Sequence, residues 1–214
     1  MSSVDDLLIL ALGVAARVLS AARARCRTAD LGALRDQLAA AFPQTLGAGT
    51  LKNCDELTLV SIEAVRRASA RLPGPTPKWG VVAGVRSPGR PRMADALARF
   101  RDRGAWSVTP HFIPHSLLHS AAGLVGQAFG LHGPGAGFGG MPGSEGDVLL
   151  AAAGWLAGGD LPGAWLVWAG WASGSPSDGP AVEALAAAVV PAAGESAAGD
   201  PMSTIERLAA GGLS

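Results

Sequence analysis

The chain has 214 residues, which is enough for one domain with a sizeable buried core and too few for two full domains. Its 17 Lys and Arg residues balance 17 Asp and Glu residues, so no broad electrostatic field draws in nucleic acid or an anionic membrane. Hydrophobic residues make up 49% of the chain and charged residues 16%, a balance that excludes extensive disorder and favours buried elements.

Strands and helices alternate in the elements that the sequence predicts. Apolar runs predict strands at 7–12, between Pro77 and Pro88, and at 163–173. Apolar residues at helical spacing predict helices at 31–43, 53–73 and 90–104, a helix from near Pro114, and one that starts at about 144. This order favours a layered α/β architecture.

Capping residues and charges mark the ends of two of these helices. Asp30 is the expected cap of the first helix, and Asn53 or Asp55 that of the second. Arg66, Arg67 and Arg71 lie near the carboxyl end of the second helix, where they suit the helix dipole. We therefore expect a solvated basic face there and no binding patch.

The elements define one domain, predicted to span residues 1–172. Residues 173–214 are rich in Ala, Gly and Pro, and we expect a tail that is partly helical or disordered.

No segment is expected to export the chain or to cross a membrane. Asp5 and Asp6 stand where a signal peptide would carry positive charge, and Arg17 shortens the apolar stretch that follows. The apolar run 148–172 is interrupted at 158–162, so neither piece reaches spanning length.

The two cysteines, Cys26 and Cys54, are far apart and in no metal-ligand or redox spacing. They predict neither a disulfide framework nor a zinc site, and a reducing cytoplasm is expected.

The stretch "GAGFGG" (Gly135 to Gly140) matches the dinucleotide-binding pattern, and Asp160 follows at about the distance of a ribose-binding carboxylate. The context argues against that function. The pattern should lie between a first strand and a first helix, whereas here a helix precedes it. No cofactor is therefore predicted.

Ser144 invites comparison with the serine of a G-x-S-x-G nucleophile elbow. The glycine expected two places earlier is missing, because residue 142 is proline. Ser144 and Asp147 instead form the pattern of a helix-capping pair, which needs no reactivity. The cap is the favoured interpretation.

His111, His115 and His119 recur every four residues, the spacing of one helix face. Pro114 places His111 in an extended entry, so that only His115 and His119 can share that face. Two histidines without a nearby carboxylate or cysteine make a poor metal site, and no metal is predicted. His132 has no partner in the sequence.

Several short motifs follow one another from residue 109 to residue 173. The matching pieces are Pro110–Pro114 in a "P-x-F-I-P" loop, Ala121–Gly123 in a helix, Phe129–Pro134 at its exit, Gly159–Asp160 in a turn and Ala169–Gly170 in a strand. In this order they resemble the amino-terminal half of a β-ketoacyl-ACP synthase, and the likeness extends over residues 6–172. The resemblance implies a thiolase-like half-fold, a layered mixed sheet covered by helices.

The departures from that family bear directly on function. The nucleophilic cysteine of the family aligns with Pro142, which is followed by Gly143 and Ser144. Proline has no thiol to carry an acyl group and no N–H to stabilise an oxyanion, so the resemblance implies a degenerate nucleophile elbow without catalytic residues. His119 stands where the family commonly has asparagine, and none of the four histidines matches the family's catalytic pair.

A half-fold exposes apolar surface that normally meets its mate. We therefore expect a homodimer or a complex with a ketosynthase-type subunit, with an acyl carrier protein as a further candidate partner. The function implied is that of a partner or scaffold subunit in fatty-acid or polyketide-type biosynthesis. The alternative is an acyltransferase or decarboxylase that acts on acyl thioesters through a group other than cysteine.

Overall fold

A computed structural model describes residues 7–108, 115–139, 144–159, 161–172, 179–192 and 200–211. Its centre is one mixed sheet of six strands in the order β1-β2-β6-β5-β3-β4. The strands are β1 Leu7–Ile9, β2 Ala15–Arg27, β3 Gly80–Val85, β4 Gly135–Gly139, β5 Ala164–Trp171 and β6 Ala181–Pro191. The helices are α1 Leu31–Ala41, α2 Ala48–Asn53, α3 Glu56–Ser69, α4 Arg90–Arg103, α5 His119–Phe129, α6 Ser144–Ala157 and α7 Pro201–Gly211.

The strand directions bring the ends of three parallel strands together. β3 runs parallel to both β4 and β5, with Val81 opposite Gly135 on one side and Trp165 on the other. β6 is antiparallel to β5 and to β2, and β1 is antiparallel to β2. The carboxyl ends of β3, β4 and β5 therefore meet at the same edge of the sheet.

Helices cover the sheet on both faces and produce two apolar cores. One core lies between the sheet and the layer formed by α1, α3 and α5, and the other between the sheet and the layer formed by α6 and α7. β6 is buried along most of its length, because it contributes alternate residues to the two cores. The layered fold expected from the sequence is confirmed.

The long helix α3 illustrates why these residues form these elements. The Asp55 side chain caps it, accepting a hydrogen bond from the Thr58 amide at 2.7 Å. Of the two caps that the sequence allowed, Asn53 and Asp55, the structure therefore selects Asp55. Asp30 forms no such cap for α1, because its carboxylate instead accepts a hydrogen bond from Arg27 at 2.7 Å.

Two strands differ from the sequence-based expectations. β2 extends over 13 residues where no strand was predicted, and it contributes Ala16, Val18 and Ala21 to one core and Ala22 and Ala24 to the other. β6 and α7 lie within the stretch 173–214 that was expected to be a loosely held tail. β6 is an inner strand of the sheet, and α7 buries Ile205 and Leu208 against it.

α5 begins at His119, five residues later than Pro114. His115 precedes the helix in a turn, where the Leu117 amide donates to the Ser120 hydroxyl at 3.1 Å. The expectation that His115 and His119 share a helix face is therefore wrong. Among the described residues, no helix is both long enough and apolar enough to traverse a bilayer.

Candidate functional site

The carboxyl ends of β3 and β5 meet the first turn of α6 at one edge of the sheet. Ligands of open α/β sheets bind outside the carboxyl ends of parallel strands. A cavity of about 180 Å³ opens at this edge, and we call it the α6-head cavity. Residues that line it include Gly84, Arg86, Ser144, Glu145, Trp168 and Gly170.

An ion pair closes one wall of this cavity. Arg86 Nη2 lies 2.7 Å from Glu145 Oε1, and the Arg86 amide donates to the Ala169 carbonyl at 2.8 Å. The indole N–H of Trp168 points to the Glu145 carbonyl at 3.4 Å. Arg86 therefore binds the carboxylate of Glu145, and Trp168 approaches its backbone carbonyl.

A second ion pair at this cavity joins two further lining residues, Arg23 and Glu206, at 3.3 Å. The charges around the cavity thus occur largely as neutralised pairs. Sequence inspection did not single these residues out, although Arg86 directly follows a predicted buried strand, which is where ligand-binding side chains of α/β proteins occur.

Gly84 fixes how closely α6 approaches the sheet. A Cβ at this position would lie 2.7 Å from Val148 Cγ2, closer than any side chain tolerates. The start of α6 is therefore packed directly against β3.

Ser144 is the first residue of α6 and is 7% exposed. Among the described residues, its side chain makes no hydrogen bond to the Asp147 amide, so the predicted capping pair is not formed. Pro142 and Gly143 lie outside the described residues, between the end of β4 at Gly139 and the start of α6. Their place in the bend of a degenerate elbow stays a prediction.

Neither cysteine lines the α6-head cavity. Cys54 is fully buried before α3, where burial raises the pKa of its thiol to about 12. Burial also raises the pKa of Cys26, on β2, and the Asp30 carboxylate adds to that effect. Both thiols are therefore protonated at neutral pH and are poor nucleophiles.

The histidines lie elsewhere. His119 and His132 line a cavity of about 460 Å³ between α5 and β4, and His111 lies outside the described residues. Within the described part of the chain, no three His, Cys, Asp or Glu residues come together in a group that could hold a metal ion.

Residues 135–139 of the "GAGFGG" stretch form strand β4 and not the turn with which a dinucleotide-binding pattern cradles phosphate. Gly137 is required for packing, since a Cβ there would collide with the Leu118 carbonyl. Asp160 lies outside the described residues.

Comparisons with known proteins identify the fold. No protein-family model matches the chain, and no curated protein does. Among solved structures, the ishigamide ketosynthase/chain length factor superposes with a TM-score of 0.59 at 16% identity, covering 85% of this chain and 63% of that one. A β-ketoacyl synthase from Burkholderia phymatum STM815 gives 0.53 at 14% identity, covering 71% and 46%.

A type II PKS ketosynthase bound to a hexaketide, in complex with its acyl-carrier protein, also gives 0.53, at 12% identity, with 90% of this chain and 64% of that chain covered. At these identities the likeness establishes the fold. The chain has the thiolase-like fold of ketosynthases and chain length factors, as the resemblance implied, and it spans 63% of the first of these structures.

Proposed function

We propose that the chain is a ketosynthase-like subunit without condensing chemistry, which acts as a partner or scaffold in fatty-acid or polyketide-type biosynthesis. The observation that carries this proposal is the composition of the α6-head cavity. Its described lining residues include neither cysteine nor histidine, and the carboxylate of Glu145 is bound to Arg86. Thioester formation and extender decarboxylation need a thiolate and positioned imidazoles or their equivalents.

Position 142 supports the same proposal from the sequence. The resemblance to β-ketoacyl-ACP synthases implies that Pro142 stands at the position of the nucleophile. Since the two native thiols have raised pKa values, no other cysteine substitutes for the missing one.

An exposed apolar surface on α4 supports the partner role. Met93, Leu97 and Phe100 are 46%, 60% and 55% exposed, and their spacing places them on one side of the helix. Trp106, just beyond α4, is fully exposed. We call these four residues the α4 surface. Large apolar side chains grouped in this way mark interaction sites, because their exposure to water is unfavourable.

The rim of the α4 surface is basic. α4 carries Arg90, Arg99, Arg101 and Arg103 against Asp95 and Asp102, whereas Arg92 donates to the carbonyls of Asn53 and Cys54. A partner with an apolar patch bordered by acidic residues would complement it. A ketosynthase-type subunit, a second copy of the chain and an acyl carrier protein are the candidates.

Intact-protein mass spectrometry tests the absence of condensing chemistry. Incubation of the wild-type chain with acyl-CoA or acyl-ACP should leave its mass unchanged. Pro142→Cys should gain an acyl adduct, because it introduces a thiol at the position where the resemblance implies the nucleophile of the family. Elongation of an acyl chain by the wild type alone would contradict the proposal.

Light scattering on the purified chain, alone and mixed with a ketosynthase, tests the partner role. Leu97→Glu should abolish the association, because it places a charge in the apolar contact. Leu150→Glu is the matched control, since Leu150 is also exposed, by 46%, but lies on α6. A wild-type monomer that binds no ketosynthase would refute the partner role.

One observation favours a second candidate, acyl transfer or decarboxylation through another group. Ser144 is buried and lines the α6-head cavity, where its hydroxyl could receive an acyl group. The described residues offer it no histidine as a base, and Glu145 is paired with Arg86. An acyl adduct on the wild type that disappears in Ser144→Ala would establish this alternative.

A further inference from the structure

A larger cavity lies at the carboxyl end of β5, on the side of the sheet that α1 and α3 cover. Its volume is about 690 Å³, within the range of sites for small organic ligands. The lining includes Leu31 and Arg35 of α1, Arg90 and Ala94 of α4, Trp171 of β5, and Pro180. We call it the Arg35 cavity.

Buried hydrogen bonds hold the walls of the Arg35 cavity in place. Asp55 accepts from the Thr58 amide at 2.7 Å and from the Gly89 amide at 3.1 Å, which ties the start of α4 to the start of α3. On the opposite wall, the Thr28 amide donates to the Pro180 carbonyl at 2.9 Å. These hydrogen bonds fix the backbone of the walls, so a ligand needs only side-chain movements to reach the donors of the cavity.

Two donors of its lining residues are left unsatisfied. Arg35 Nε and Trp171 Nε1 are buried, and neither has a hydrogen-bond partner among the described residues. A buried N–H without a partner destabilises the protein, and most such groups in native structures are satisfied by protein, water or ligand. Both groups can only donate, so the complementary group must be an acceptor.

The charges specify the acceptor further. Two guanidinium groups, those of Arg35 and Arg90, line the cavity against one carboxylate, that of Glu56. An anion is therefore favoured over a neutral acceptor. The Nε edge of a guanidinium group binds carboxylates in a bidentate manner, which fits the unsatisfied atom of Arg35.

The remaining walls are apolar. Leu31, Pro91, Ala94 and the indole ring of Trp171 surround the same space. We propose that the Arg35 cavity binds a small carboxylic acid with an apolar body, with its carboxylate on Arg35 and the Trp171 N–H and its body against these side chains. This site does not include Ser144 or the start of α6, although Trp171 also lines the α6-head cavity, and the proposal does not depend on the partner role.

Isothermal titration calorimetry with 2-naphthoate tests the proposal, with 2-naphthylmethanol as the neutral analogue. The wild type should bind the carboxylate at least about tenfold more tightly than the alcohol. Arg35→Met should weaken the binding of 2-naphthoate by at least about tenfold, and Trp171→Phe, which keeps an aromatic ring but removes the N–H, by several-fold. Arg103→Gln is the control, because Arg103 is exposed and does not line the cavity.

Thermal unfolding without ligand separates binding from folding. Because Arg35→Met removes a buried donor that has no partner, its melting temperature should equal or exceed that of the wild type while its affinity falls. Equal affinities for acid and alcohol, an unchanged affinity in Arg35→Met, or no binding of 2-naphthoate at millimolar concentration would each overturn the proposal.

Discussion

Asp55 connects the starts of two helices, and its removal should cost more than the loss of an ordinary helix cap. It is 1% exposed, and its two carboxylate oxygens accept from the amides of Thr58 and Gly89. Loss of an N-cap costs about 0.5–2 kcal/mol, and a buried N–H left unpaired costs about 1–3 kcal/mol. Asp55→Ala should therefore lower the free energy of unfolding by about 2–4 kcal/mol.

Urea and thermal unfolding, followed by circular dichroism, measure this loss. For a chain of this size the melting temperature should fall by about 2–4 °C per kcal/mol. Asp200→Ala is the matched control, because Asp200 is exposed and binds the amide and hydroxyl of Ser203 at the start of α7, each at 2.8 Å. The reasoning is refuted if Asp55→Ala destabilises the chain no more than Asp200→Ala.

Burial also affects the protonation of Asp55. Desolvation raises the pKa of its carboxyl group, although the hydrogen bonds from Thr58 and Gly89 oppose the shift. Asp55→Asn removes the buried charge but leaves one acceptor oxygen for the two amide donors, because an NH2 group replaces the other oxygen. It should retain one of the two hydrogen bonds and fall between the wild type and Asp55→Ala in stability.

Two further predictions concern Glu63, which is 4% exposed and binds Arg66 and Arg67, each at 2.7 Å. Glu63→Gln should cost about 1–2 kcal/mol in urea unfolding at pH 7, since both guanidinium groups are half exposed. Burial raises the pKa of Glu63, but the hydrogen bonds from both arginines outweigh it and hold the pKa below 4.5. The stabilisation is therefore present above pH 4.5 and is lost as the pH falls through the lower, native value, so the two proteins should converge in stability at acid pH. A difference that persists or grows in acid would contradict this assignment.

The elements bounded by strong sequence signals could be predicted closely. β3 and β5 are apolar runs bounded by proline or glycine, and α4 ends before Gly104, as expected. The resemblance also gave the correct fold. In each case the residues of the segment itself determine the structure, so local reasoning is sufficient.

β2 and β6 could not be predicted, because alanine is the commonest residue of both strands. Alanine is depleted in strands, and a run of it indicates a helix or a low-complexity segment. In the structure, Ala184, Ala186 and Ala188 face the core under α3, and Ala187 faces the core under α6 and α7. Small side chains let helices pack closely on both faces, so distant parts of the chain decide that β6 is a strand.

The arginines at the end of α3 show that the sequence does not reveal the partners of side chains either. The sequence favoured a solvated face for Arg66, Arg67 and Arg71. Half of each of the first two side chains is indeed exposed, but both hold the buried Glu63, and Arg71 donates to the Ala21 carbonyl on β2 at 2.8 Å. The residues that they bind lie one turn away or on another element, and the charge pattern alone does not reveal them.

The end of β5 lies between the α6-head cavity and the Arg35 cavity. Of these two cavities, Trp168 lines the α6-head cavity alone, whereas Trp171 lines both. The first cavity depends on the start of α6, and the second on the starts of α1, α3 and α4. A substitution at position 142 precedes α6 and contributes to none of the described walls of the Arg35 cavity. The replacement of a nucleophile by proline that the resemblance implies at position 142 would therefore leave unchanged the residues that we propose to bind a carboxylate.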